Sequence, residues 1–167
     1  YATMLDLSAH NVAGDIWVGS GFFTETIVDG AQTNFASFQI WPLGADAAAP
    51  GGTPVATPAG QVSAAVALAR LRNQALSQAQ LAGPFAGSVV QNIGTLNGFF
   101  AGVNARDFYV RVRFQNPYPA YEHLWDVGIA FRHTAPDEHY RLVVRSDGTW
   151  LLANGAAPAE FFGPVPG

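Results

Sequence analysis

The segment between residues 118 and 126, YPAYEHLWD, holds the densest set of side chains that could bind a ligand. Aromatic rings such as those of Tyr121 and Trp125 stack on the CH faces of sugars, while the Glu, His and Asp of the segment can bond the hydroxyls. The segment therefore predicts a carbohydrate-binding loop. The alternative is a long hairpin loop whose Trp125 packs inward.

A second group of candidate side chains follows Pro136. Asp137, Glu138 and His139 could bind a divalent cation together with His133. Their spacing matches no firm metal-binding motif, and Asp-Glu after a proline is ordinary turn chemistry. We therefore expect no metal site and no cofactor.

Catalytic motifs are missing from the chain. A retaining glycoside hydrolase needs two carboxylates about 5.5 Å apart, and jelly-roll laminarinases carry them as E-x-D-x-x-E on one strand. None of the four glutamates has a carboxylate two residues away, and no Gly-x-Ser-x-Gly elbow is present. The protein is therefore predicted not to be an enzyme. The glutamates are Glu25, Glu122, Glu138 and Glu160.

The composition is that of a globular chain with little surface charge. Apolar residues make up 49% and charged residues 12%, so a core can form and the surface is suited to being covered by a neighbour. A net charge of −4 argues against a nucleic-acid partner. There is no Cys, and no apolar run reaches the roughly 20 residues of a membrane span. Because the chain starts with Tyr1, we expect a processed product or an excerpt.

Three regions differ in their hydrophobic pattern. Residues 1–44 have the pattern of β-strands, with short runs at 16–18 and 35–43, and in the second run Phe38 and Ile40 share one face. Residues 45–84 begin with a Pro/Ala-rich linker, continue with a helical stripe over 61–80, and end at Gly-Pro. Residues 85–167 return to β, with alternating strands at 108–114, 127–132, 140–145 and 149–152.

The region from Asp107 to Gly155 resembles part of a concanavalin A-like, or laminin-G-like, jelly roll. The resemblance lies in DFYVRVRFQNP, WDVGIAFRH and HYRLVVRSDGTWLLANG. Similar domains occur in bacterial sugar-processing proteins of the 3-keto-disaccharide hydrolase type and in accessory sensor domains of bacterial kinases and surface proteins. The resemblance implies an all-β antiparallel jelly-roll sandwich, and we predict this fold with a Pro/Ala-rich linker and one short helix.

The resemblance adds candidate ligand-binding residues. In such domains one sheet face can carry a ligand, and Arg132 and Tyr140 would line it, while Trp150 could stack on the ligand. Alternatively, Arg132 pairs with Asp126 or Glu122, and Trp150 has a core or sheet-edge role. The predicted ligand-binding residues are Tyr121, Trp125, Arg132, Tyr140 and Trp150.

The two β regions resemble jelly-roll pieces in reversed order. Residues 3–43 resemble a closing segment through LDLS, GDIWVGSGFF and TNFASFQIWPL, whereas residues 85–167 resemble an opening segment. About 25–30 residues of the middle are then missing, judged from usual strand lengths. The chain is one period of a tandem array, a circular permutant whose pieces pair within one molecule, or an excerpt. The Pro-rich segment between the pieces favours the first and third.

Half a jelly roll presents unpaired sheet edges and an open apolar face, and a complementary half removes both. We therefore expect a structural module of a repeat protein or filament whose sandwiches are completed by neighbouring copies. The resemblance implies that it is a bacterial extracellular or cell-surface protein. The alternative is a carbohydrate-binding module whose partner is a polysaccharide.

Overall fold

The computed structural model describes residues 13–20, 22, 30–43, 64–92, 97–119, 124–135, 138–155 and 161–165. Within these residues the chain forms nine strands and one helix. In chain order they are β1 (Gly14–Ser20), β2 (Ala31–Pro42), α1 (Ala64–Leu76), β3 (Ala82–Gln91), β4 (Asn97–Ala105), β5 (Phe108–Gln115), β6 (Asp126–Ala135), β7 (Glu138–Arg145), β8 (Thr149–Asn154) and β9 (Phe161–Pro164).

The strands form two sheets that share a core. The larger sheet has the order β4-β1-β6-β7-β8-β9 and the smaller sheet has the order β3-β2-β5. All the pairings are antiparallel. The prediction of an all-β fold with antiparallel sheets and one short helix is confirmed.

The two β regions of the sequence are interleaved in both sheets. β1 lies between β4 and β6, and β2 lies between β3 and β5, so both strands from the first region are internal. Val18 of β1, for example, pairs with Phe99 on one side and Ile129 on the other. In this structure the pieces therefore pair within one chain.

Alternating apolar side chains from the two sheets meet in the main core. Phe38 of β2 is fully buried, and its ring centroid lies 6.3 Å from that of Phe35, 6.0 Å from that of Phe85 and 6.4 Å from that of Phe99. Phe38 and Ile40 both face this core, as predicted, but Phe35 faces it too, because a bulge at Ser37, whose φ is +53°, interrupts the alternation of β2. The other buried members are Ile16, Val18, Val89, Ala101, Ala105 and Ile129.

The helix α1 lies on the smaller sheet, where it contacts β2 and β5. Ala75 is fully buried, and Gln80, just beyond the helix, accepts a hydrogen bond from the side chain of Gln39 at 3.2 Å. The predicted linker, residues 45–60, lies outside the described residues. Among the described residues, no helix has the length and apolar character needed to cross a membrane.

The turn at Ser146-Asp147-Gly148 joins β7 to β8 and is built from local hydrogen bonds. Both the side chain and the backbone N–H of Thr149 donate to Asp147 Oδ1, and Gly148 has a φ of +78°. The Thr149 hydroxyl lowers the pKa of Asp147. Because the folded-state pKa is lowered, this contribution to stability is present at neutral pH and is lost as the pH falls through that pKa.

Replacing Phe38 tests whether the two sheets share this core. Phe38→Ala should lower the free energy of unfolding by about 3–5 kcal/mol, because it leaves a cavity among packed rings. Phe162→Ala is the matched control, since Phe162 is 78% exposed and should change stability by less than about 0.5 kcal/mol. Urea unfolding measures both, and equal effects of the two variants would contradict the assigned core.

Candidate functional site

An aromatic cluster lies on the face of the larger sheet that points away from the smaller sheet, here called the outer face. At its centre is Trp17, whose ring centroid lies 5.4 Å from those of Phe22 and Phe100 and 6.3 Å from those of His133 and His139. We call these five residues the Trp17 cluster. Phe100 is 51% exposed, whereas Trp17, Phe22 and His139 are buried, so the cluster opens to solvent on the β4 side.

The alternation of β1 explains why Trp17 lies on the outer face. Ile16 and Val18 point into the main core, so Trp17 between them points outward. Its ring fills the space above two glycines, because a Cβ on Gly19 would lie 2.6 Å from the ring and a Cβ on Gly98 2.2 Å from it. A side chain at either position would displace the indole.

A β-bulge in β6 places His133 in the cluster. Trp17 pairs with Ala130, but Asp15, two residues before Trp17, pairs with His133, three residues after Ala130. The extra residue coincides with Arg132, whose φ is +54°. Without the bulge, the period-two alternation would turn the His133 side chain toward the core.

The bulge requires glycine on the neighbouring strand. A Cβ on Gly14 would lie 2.4 Å from the carbonyl carbon of Arg132 and 2.6 Å from the backbone nitrogen of His133. A left-handed conformation at a non-glycine residue costs on the order of 1–3 kcal/mol, and such conformations concentrate at functional sites. The backbone of Arg132 therefore holds strain at the point that directs His133.

Two imidazoles lie next to each other in the cluster. The ring centroids of His133 and His139 are 5.7 Å apart, with an angle of 48° between the ring planes. Asp15 lies directly opposite His133 in the β1–β6 ladder, so their side chains share the outer face. Among the described residues, no three His, Cys, Asp or Glu side chains form a metal-binding group.

Asp126 and Arg141 hold the backbone of Phe22 in place. The backbone N–H of Phe22 donates to Asp126 Oδ1 at 3.0 Å, and its carbonyl accepts from Arg141 Nη1 at 2.9 Å. Burial lowers the pKa of the Arg141 guanidinium, and the charge of Asp126 offsets part of this effect. Asp126 is completely buried, so the chain leaving β1 is held by groups on β6 and β7.

The cluster offers binding chemistry rather than an evident catalytic set. Neutral imidazole can bind metal ions and can donate and accept hydrogen bonds. The buried indole N–H of Trp17 has no hydrogen-bond acceptor among the described residues, and a bound ligand could supply one. The aromatic walls on either side exclude water from part of the site.

The predicted sugar-binding loop is only partly described. Trp125 is half-buried, its indole N–H donates to the carbonyl of Tyr118 at 3.1 Å, and its backbone N–H donates to Ser146 Oγ at 3.2 Å. Tyr121 lies outside the described residues. The loop is therefore anchored at its β6 end.

The other predicted ligand-binding residues do not share one face. Tyr140 is buried on the core-facing side of the larger sheet, where its ring stacks on Phe131 with centroids 5.7 Å apart. Trp150 lies on that same side and packs close to Gly163. Arg132 instead forms the bulge beside the Trp17 cluster.

Sequence reasoning did not find the Trp17 cluster, although it considered His133 and His139. It grouped the histidines with Asp137 and Glu138. Glu138 accepts a hydrogen bond from Thr134 at 2.8 Å, and Asp137 lies outside the described residues. Alternation could have placed Trp17 opposite the core, but no sequence signal marks the bulge that redirects His133.

No known protein family, no curated protein and no solved structure matches this chain.

Placing a methyl group at Gly14 should disturb the cluster. Gly14→Ala is expected to lower the free energy of unfolding by about 1–3 kcal/mol, because the Cβ meets backbone atoms that must move. It should also shift the NMR signals of the His133 ring. Ala13→Ser, at the adjacent exposed position, is the control and should leave both unchanged. An unaltered His133 ring in Gly14→Ala would argue against the close approach.

Proposed function

We propose that this protein is a structural module of a bacterial extracellular or cell-surface assembly, in which neighbouring copies complete one another's sandwiches. The observation that carries the proposal is the position of β1 and β2. Both come from the first 44 residues, and each is an internal strand with partners on both sides. Such a segment is held by main-chain hydrogen bonds and core side chains, whether the neighbouring strands belong to the same copy or to another one.

Exchange between copies preserves the contacts that the strands make within one chain. Residues 43–63 separate β2 from α1, and 21 residues span up to about 70 Å when extended. The first region of one copy can therefore reach the receiving strands of another. Because such a contact is head-to-tail, successive exchanges build open filaments unless a ring closes.

The order of the strands supports a jelly roll as the finer topology. The chain passes between the sheets from β1 to β2, from β3 to β4, from β4 to β5 and from β5 to β6. It then forms an antiparallel run from β6 to β9. Together with the resemblance over residues 107–155, this pattern favours a jelly-roll sandwich over a simple stack of two meanders.

Two neighbouring edge strands also favour contact between copies. β3 is an edge of the smaller sheet and β4 is an edge of the larger sheet, and neither contains a charged residue. Val90 and Phe100 on these strands are 40% and 51% exposed. Edge strands are usually protected by charges against pairing with other chains, so this side of the sandwich is suited to being covered.

Paired cysteines can distinguish exchange from pairing within one chain, because the natural chain contains no Cys. Asn34 of β2 and Gln115 of β5 are exposed and directly opposite, within reach of a disulfide. If copies exchange strands, oxidised Asn34→Cys/Gln115→Cys protein should form covalent dimers and longer ladders on a non-reducing gel. Light scattering of the unmodified protein should show matching oligomers.

The matched control places both cysteines in one region. Ala135→Cys/Glu138→Cys bridges β6 and β7, which stay together whether or not the first region is exchanged. It should therefore give only intrachain bonds. If Asn34→Cys/Gln115→Cys protein also gives only intrachain bonds at every protein concentration, copies do not complete one another.

Carbohydrate binding is the second candidate, supported by two half-buried tryptophans. Val127, Val144 and Trp150 form a cross-strand row on the core-facing side of the larger sheet, and Trp125 lies just before β6, two residues from Val127. Leu142 on this side is 37% exposed. Indole rings on a partly open sheet face provide a stacking surface for sugar rings.

Truncating these rings tests the second candidate. Trp125→Ala and Trp150→Ala should each reduce retention of the protein on insoluble polysaccharide at least tenfold, because a stacking surface is removed. Phe162→Ala removes an exposed aromatic ring from β9 and should leave retention unchanged. Circular dichroism establishes that each variant is folded. Retention that is equal in all three variants would exclude this surface as a sugar site.

A further inference from the structure

We propose that His133 and His139 bind one divalent transition-metal ion such as Zn²⁺ or Cu²⁺ on the outer face of the larger sheet. Both ligands belong to the β6–β7 hairpin, so the site forms whether β1 comes from the same copy or from a neighbour. Metal binding therefore goes beyond the proposed structural role and can be tested separately from it.

The separation of the two rings suits a shared ion. An imidazole nitrogen binds zinc at about 2.0–2.1 Å, so two imidazoles on one ion have ring centroids roughly 5–6 Å apart. The centroids of His133 and His139 are separated by 5.7 Å. This separation therefore lies in the range expected for two imidazoles that share one ion.

The backbone is built to hold His133 in this position. The extra residue in β6 turns His133 onto the outer face, Arg132 takes a φ of +54° to allow it, and Gly14 leaves room for the bulge. Bulges of this kind re-aim side chains next to functional sites. The strain would have little purpose if His133 served only as a surface residue.

The surroundings favour a cation that prefers nitrogen ligands. Asp15, opposite His133 on the outer face, supplies a negative charge, and the positive charge of Arg141 is engaged by the Phe22 carbonyl and by Asp126. Imidazole suits zinc, copper and nickel, whereas calcium and magnesium require sets of oxygen ligands. Water completes the coordination from the open side, where Phe100 is half exposed.

Titration of the full chain, first stripped of metal with a chelator, tests the site. Calorimetry with Zn²⁺ should give one ion per chain, and the electron paramagnetic resonance spectrum with one equivalent of Cu²⁺ should show two nitrogen ligands. His133→Gln and His139→Gln should each weaken binding at least tenfold. His133→Gln is the safer variant for folding, since His133 is only half-buried whereas His139 is buried.

The matched control is His123→Gln, which removes one of the four histidines of the chain but neither ligand. It should bind Zn²⁺ as the unmodified protein does. The proposal is overturned if the unmodified protein binds no ion, if His133→Gln binds as well as the unmodified protein, or if His123→Gln loses binding to the same extent. In the unmodified protein, NMR shifts caused by Zn²⁺ should centre on residues 133 and 139, and shifts centred elsewhere would also overturn it.

Discussion

The internal position of β1 and β2 is the constraint on which the rest of the structure depends. Backbone N–H and C=O groups of an internal strand are paired on both sides, so removing these strands would leave four new unpaired edges, two in each sheet. It would also remove Ile16, Val18, Phe35, Phe38 and Ile40 from the main core. No pairing among the remaining strands replaces these contacts without changing the order of both sheets. A sandwich is therefore complete only when a first region, from the same chain or from another copy, supplies β1 and β2.

β1 is also buried on both of its faces. One face contributes Ile16 and Val18 to the main core, and the other contributes Trp17 to the aromatic cluster. A ring of that size fits on a sheet surface only where neighbouring side chains are absent, which is why glycines occupy positions 19 and 98. β1 thus connects the main core to the Trp17 cluster. A substitution that shifts the strand on one face would therefore also displace the side chains packed on its other face.

Alternation made much of this fold predictable from the sequence. The strands β2, β5, β6, β7 and β8 each cover a segment predicted as a strand, except that the segment predicted in β2 extended one residue further, to Leu43. β3 and β4 were not predicted individually, because runs such as AGPFAGSVVQ and NGFFAGVNA are rich in residues of low β-propensity. The Gly-Pro that was expected to end the helix lies within β3, since the sheet context overrides the local breaker signal. The place of His133 in the Trp17 cluster could not be predicted, because it depends on the bulge at Arg132. Pairing counted back from Ala135 and Glu138 would set His133 opposite Tyr140, whereas Phe131 occupies that place.

The Trp17 cluster is assembled from both regions of the sequence, and this would give the proposed assembly and the proposed metal site a physical connection. Trp17 and Phe22 come from the first region, while Phe100, His133 and His139 come from the last. In an exchanged assembly, the aromatic wall of one copy would lie against the imidazoles of the next. Suppose that the ion binds more tightly when this wall is present. Pairing of copies then raises the affinity for the ion, and the ion raises the affinity between copies by the same factor, because coupling between two binding equilibria is reciprocal. A chain that supplies its own β1 lacks this link between copies, and the ion would then stabilise only the fold of that chain.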